Sequence, residues 1–130
     1  MTGRELLDKA IKARENSYAP YSNFFVGAAL LCEDGSVYTG CNIENSGFSA
    51  TVCAERTAIF KAISEGKRNF AAIAIAGGKE TTVECFPCGV CRQVLSEFCD
   101  EELIIYTENG GRVNKHKLKE LLPFAFSGLN

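Results

Sequence analysis

The run Phe70-Ala71-Ala72-Ile73-Ala74-Ile75-Ala76 decides the fold of this chain. It is apolar throughout and of strand length, so it must be covered on both faces. Upstream, Cys53 to Glu65 reads as a helix closed by Gly66, a residue favoured just past a helix end. Downstream, Pro87 suits the first turn of a second helix running to about Phe98, and Leu103-Ile-Ile-Tyr-Thr107 is another strand. Helix, strand, helix, strand predicts parallel strands joined by right-handed crossovers, with helices covering the sheet. Further out, Phe25 to Cys32 and Ser36 to Cys41 flank Asp34-Gly35, a strong hairpin signal. Thr2-x-x-Glu5 forms a capping box, and Leu6, Leu7, Ala10 and Ile11 continue at helical spacing to about Asn16. At the other end, Asn109-Gly110-Gly111 reads as a turn and Lys115 to Leu122 as a short closing helix stopped by Pro123. The expectation is a layered α/β domain that begins with an antiparallel hairpin.

At 130 residues the chain is sized for one domain spanning 1–130. A formal net charge of -2 and the lack of any basic block argue against a sequence-independent grip on nucleic acid phosphates. No apolar run reaches membrane-span length, and Met1-Thr-Gly-Arg-Glu lacks the apolar core of a signal peptide. Seven cysteines, an odd count without an export signal, favour free thiols and metal ligands over a disulfide framework. The expected location is cytoplasmic. Cys32, Cys41 and Cys99 read as small apolar residues, and the lone His116 as a surface residue.

The chemistry is concentrated in Cys53-Ala54-Glu55 and Pro87-Cys88-Gly89-Val90-Cys91. Cys53 and Cys88 fall in the first turns of two expected helices, where unsatisfied N–H groups and the dipole favour thiolate. Cys88 and Cys91, three apart, share a helix face. Three soft sulfurs favour zinc over magnesium or calcium, and three protein ligands leave the fourth position open, as in a catalytic site. Glu55 lies about 200° around the helix from Cys53, so it flanks the metal instead of joining the ligands. A structural clip has no use for that carboxylate; a hydrolytic site needs a proton carrier there.

This pattern resembles the zinc-dependent cytidine deaminases of the small, homotetrameric type. Tyr18-Ala-Pro-Tyr-Ser-Asn-Phe24, Val26-Gly-Ala-Ala-Leu30, Gly40-Cys-Asn-Ile-Glu-Asn45, Cys53-Ala-Glu-Arg-Thr-Ala58, Cys88-x-x-Cys-Arg-Gln-Val94 and Glu120-Leu-Leu-Pro123 all look like that family, in order along nearly the whole chain. The resemblance implies a three-layer α/β/α fold with a mixed five-stranded sheet. It implies one zinc per chain on Cys53, Cys88 and Cys91, hydrolytic attack at C4 of the pyrimidine, and Glu55 moving protons to N3 and to departing ammonia. Arg56 resembles the family arginine that hydrogen-bonds ligand sulfurs and offsets their excess negative charge. Asn42 and Glu44 match residues that bind the ribose 3′ hydroxyl, Phe24 an aromatic that packs on the substrate, and Ala54 a backbone contact to the base. Phe126 matches a C-terminal aromatic that reaches a neighbouring subunit's site. The implied partner is a small nucleoside, with no nucleic acid and no membrane, and the implied role is pyrimidine salvage in a homotetramer with shared sites.

Three features depart from the pattern. Phe48 stands where relatives carry tyrosine, Phe86 replaces a small residue before Pro87, and Cys85 adds a thiol that matches no family ligand. Cys85 as a fourth ligand gives a rival, a closed structural zinc module, opposed by Glu55, the acidic balance and the helix-breaking Pro87. A dithiol redox pair at Cys88 and Cys91 leaves Cys53-Ala-Glu unexplained. Among deaminase substrates, a nucleotide would want positive charge that the stretch Asn42 to Glu55 does not offer, and Glu44 would repel phosphate. A nucleoside antibiotic is the other alternative. Cytidine and 2′-deoxycytidine are favoured together, because a 3′ contact does not sense the 2′ group.

Overall fold

The computed structural model describes residues 1–126. Helix α1 (Gly3–Ala13) starts at the expected capping box: Thr2 accepts from the Glu5 N–H, and the Glu5 carboxylate accepts from the Thr2 N–H. A 3₁₀ turn over Arg14–Asn16 ends it where the periodicity stops. Strands β1 (Phe25–Cys32) and β2 (Val37–Cys41) form the hairpin, turning at Gly35 with φ of 92°, a value that suits glycine. Helix α2 (Ala54–Ser64) follows, capped by Cys53 and released at Gly66. Then come β3 (Phe70–Gly78), the two-residue β4 (Thr82–Val83), α3 (Gly89–Phe98), β5 (Ile104–Asn109), β6 (Arg112–Lys117) and α4 (Leu118–Leu121).

The sheet runs β2-β1-β3-β5-β6, with β4 paired to the end of β3. β3 and β5 are parallel, as the alternation requires; the remaining pairs are antiparallel. The opening run explains the two layers of helix. Ile73 and Ile75 point with Ala28 and Leu30 into one core, against Ala58, Ile59 and Ala62 of α2 and Leu95 of α3. Ala72, Ala74 and Ala76 point the other way and, with Ala29, meet Leu6, Leu7 and Ala10 of α1. Bulk on one face and alanine on the other let α1 lie close to the sheet. The result is the expected three-layer α/β/α sandwich with an antiparallel hairpin and a mixed sheet.

Two glycines set the helix heights. A Cβ at Gly27 would sit 1.9 Å from the Ala10 carbonyl oxygen of α1, and one at Gly40 would sit 2.5 Å from the Ala58 nitrogen of α2. Both obstacles are backbone, so a side-chain rotation cannot relieve either clash. Gly27→Ala is therefore expected to cost about 3 kcal/mol or more by forcing α1 off the sheet. A urea melt with an unshifted midpoint would contradict this account of the α1 layer.

Three expectations at the ends of elements need correction. The segment from Lys115 is strand, not helix: Lys115, His116 and Lys117 pair with Tyr106, Ile105 and Ile104, and α4 holds only Leu118–Leu121. The cause is the turn before it. Gly110 and Gly111 have φ of 58° and 83°, and such a pair of positive angles folds the chain back as a tight hairpin. His116 is consequently half-buried, with its ring edge on Phe86 at 5.2 Å between centroids, instead of lying on the surface of a helix. Lastly, α3 begins at Gly89 rather than Pro87, because Cys88 is extended (ψ 169°) and acts as the cap.

Candidate active site

The site forms where α2 and α3 begin, on the same side of the sheet. Gly40 lets the first turn of α2 settle onto β2, which fixes Cys53 and Glu55 relative to the sheet. Cys53 is the cap residue of α2 and Cys88 that of α3; the Cys91 N–H donates to Cys88 Sγ at 3.4 Å. Both thiols thus occupy positions where helix N–H groups favour an anion. Cys91, one turn into α3, is fully buried.

The Sγ atoms of Cys53, Cys88 and Cys91 all lie within 4.8 Å of one another, and those of Cys53 and Cys88 are 3.7 Å apart. A tetrahedral zinc with bonds of 2.3 Å separates its sulfurs by about 3.8 Å, so the cluster has the right size for zinc. Its electrostatics agree. Arg56 Nη2 donates to Cys53 Sγ at 3.4 Å. The Cys53 thiol is held low, at about 5, by its hydrogen bond with Cys91 and then by Arg56. Cys91 is pushed up by its contact with Cys53 and by burial. A cation bound to the three sulfurs would displace the thiol protons.

Glu55 sits in the first turn of α2, 4% exposed. Burial pushes its carboxyl up to about 7, which lets it take up and release a proton near neutrality. It lines a cavity of about 250 Å³ together with Phe24, Asn42, Glu44, Cys53, Ala54 and Cys88, which gathers most of the expected residues into one place. Cys85 also lines this cavity but stands outside the three-sulfur cluster, and burial raises its thiol to about 11. The closed four-sulfur arrangement is therefore not what the chain builds among the described residues.

The expected sugar-binding pair is already partly engaged. Asn42 Oδ1 accepts from the Val26 N–H at 2.9 Å and Asn42 Nδ2 donates to the Phe24 carbonyl at 2.8 Å. One amide hydrogen and one oxygen lone pair remain to it. The Glu44 carboxylate accepts from the N–H groups of Tyr21 and Ser22 and from the Ser22 hydroxyl at 2.5 Å; the hydroxyl contact holds its pKa below the usual carboxylate value. Phe126 lies elsewhere, 64% exposed, on a separate hollow with Leu118, Pro123 and Phe124. Phe48, 85% exposed, flanks Glu44 on the outer side. Sequence reasoning did not single out Ser22, Thr51 or Val52 as lining residues. The Ile43–Val52 bridge brings two of them in, and no local pattern announces an isolated bridge.

A mixed sheet between helical layers, with three thiols that could hold a metal ion beside a pocket lined by a buried carboxylate, is an arrangement suited to metal-assisted hydrolysis. The comparisons agree with that class. The family model for the cytidine and deoxycytidylate deaminase zinc-binding region matches residues 2–107, a span that includes every residue of the cluster. A cytidine deaminase from Sporosarcina psychrophila is 52% identical over 98% of this chain and 93% of its own length. The crystal structure of cytidine deaminase from Burkholderia pseudomallei superposes with a TM-score of 0.90 at 46% identity, covering 97% of this chain and all of the other. That of cytidine deaminase from Mycobacterium tuberculosis gives 0.84 at 40% identity, covering 99% of each chain. The chain belongs to the cytidine and deoxycytidylate deaminase family and is an enzyme of the cytidine deaminase type. Among the described residues no helix is long and apolar enough to cross a membrane.

Proposed function

We propose that this chain is a zinc-dependent hydrolase that converts cytidine and 2′-deoxycytidine to uridine and 2′-deoxyuridine with release of ammonia, serving pyrimidine salvage. The observation that carries the reading is Glu55, buried beside three clustered thiols and open to the same cavity. Cys53, Cys88 and Cys91 hold one zinc per chain, which when bound supplies a Lewis acid that lowers the pKa of water. Glu55 accepts a proton from the attacking water and delivers it to N3; it then takes the second proton from the new C4 hydroxyl and passes it to the amine, which leaves as ammonia as the C4 carbonyl forms. N3 protonation matters because C4 is otherwise a weak electrophile. Arg56 keeps Cys53 ionised and offsets the surplus charge of three thiolates. The Ala54 backbone and Phe24 place the base, and Asn42 and Glu44 take the 3′ hydroxyl with the capacity they have left.

The position of Phe126 supports a site shared between subunits, since within its own chain it borders a different hollow. A homotetramer of single-domain chains, 1–130, in the cytoplasm is the assembly proposed. A free nucleoside is preferred to a nucleotide because no lysine or arginine lines the cavity among the described residues, and Glu44 does. The test is ammonia release from cytidine, deoxycytidine, cytosine and cytidine monophosphate. Turnover of the two nucleosides, with the free base and the monophosphate poor, is the expected result. A preference for the monophosphate would overturn the substrate assignment.

A further inference from the structure

Cys88 differs from the other two ligands in its support. Cys53 and Cys88 each cap a helix and Cys91 lies inside α3, but Cys53 is preceded by Val52, which is bridged to Ile43, whereas Cys88 ends an irregular stretch, Glu84 to Cys88, that follows β4. Two points hold this stretch. Glu84 accepts from Asn114 Nδ2 at 2.9 Å and from Thr107 Oγ1 at 3.4 Å, anchoring its start to β5 and β6. Its end is held by Arg92. The Arg92 backbone N–H donates to the Cys88 carbonyl at 2.9 Å, and its Nε donates to the Pro87 carbonyl at 2.7 Å. The peptide that delivers the Cys88 ligand is thereby gripped from both sides by one residue.

The other arm of the same guanidinium goes elsewhere. Arg92 Nη1 donates to the Leu121 carbonyl at 2.7 Å, at the last residue of α4. The neighbouring Gln93 reaches the same segment, Nε2 donating to the Phe126 carbonyl at 3.3 Å. A cation on the second turn of a helix, bent back toward its N-terminus, is disfavoured by the helix dipole. A planar fork with two donors aimed at two carbonyls offsets that cost, and lysine cannot reproduce it.

We propose that Arg92 is a positioning residue that couples the Cys88 ligand to the C-terminal segment, so that metal binding and the packing of residues 118–122 stabilise each other. Such coupling is reciprocal: metal on the three thiols tightens α4, and a docked α4 tightens the metal site. The inference rests on the reading of the three thiols as the metal site. It adds a physical route by which the segment leading to Phe126 responds to that site.

The experiment uses the full chain, with zinc affinity measured by competition against a chromophoric chelator and amide exchange followed with and without zinc. R92M is expected to bind zinc about 10- to 100-fold more weakly. R92K, which keeps the charge but not the planar fork that spans both carbonyls, should lose about three- to tenfold, and it carries the affinity test if R92M does not fold. In the parent, zinc should slow exchange at 118–122 while leaving α1 unchanged. In the variants that zinc dependence should be largely lost, whereas a merely structural role would raise exchange equally in both states. Unchanged zinc affinity in the variants, or zinc-dependent protection of 118–122 that survives in them, overturns the clamp alone. A parent chain that binds no zinc overturns the metal reading and the clamp with it.

Discussion

Glu55→Gln is expected to lower turnover about 10²- to 10⁴-fold while each chain still binds one zinc. The amide has nearly the shape of the carboxyl, so α2 and the cavity should be unchanged. It can neither accept nor release a proton under these conditions, and that is the property at issue. The carboxyl is 4% exposed and raised by burial to about 7, so little water competes with substrate for its proton. Glu55 is not among the three clustered sulfurs, so the variant should still bind zinc. The measurement is paired: initial rates of ammonia release and metal content on one preparation. Full turnover with full metal would refute Glu55 as the proton carrier, and loss of metal would show it holding the site together instead.

Much of this was legible in the sequence because the decisive signals are local. Phe70 to Ala76 fixed a strand covered on both sides, and the clusters around Ile73 and Ala74 show the two coverings. Cys53, Glu55, Cys88 and Cys91 were legible because helix starts place side chains at known angles and thiols ask for specific partners. What sequence hid was set by distant contacts. The stretch Lys115 to Lys117 has residues that suit a helix, yet Gly110 and Gly111 turn it onto β5, where ladder hydrogen bonds outweigh propensity. The helix reading also put His116 on the surface, and the strand carries it under Phe86. Nothing local announces the carbonyls that Arg92 holds, since Pro87 lies before the first turn of α3 and Leu121 is 29 residues further along the chain. The engaged amide of Asn42 was likewise hidden, since its partners, Val26 in β1 and Phe24 just before it, lie 16 and 18 residues back along the chain.

Cys91→Ala should weaken zinc binding by more than about 100-fold and abolish turnover, whereas Cys85→Ala should leave zinc affinity intact. Cys91 is the fully buried member of the cluster, and no other described side chain of that type is within 4.8 Å to replace it. Its loss also frees the Cys53 thiol from the hydrogen bond that does most to hold its pKa near 5, so the remaining pair would bind a cation with one thiol fewer and a less acidic partner. Cys85 faces the same cavity, but burial keeps it protonated to about 11, and its sulfur stands apart from the cluster. The two variants therefore separate an open site from a closed one. Three sulfurs leave a coordination position for water; four would fill it and leave Glu55 with no proton to carry. Should Cys85→Ala shed zinc as readily as Cys91→Ala, the centre would be a structural clip and hydrolysis at C4 would need another source of nucleophile.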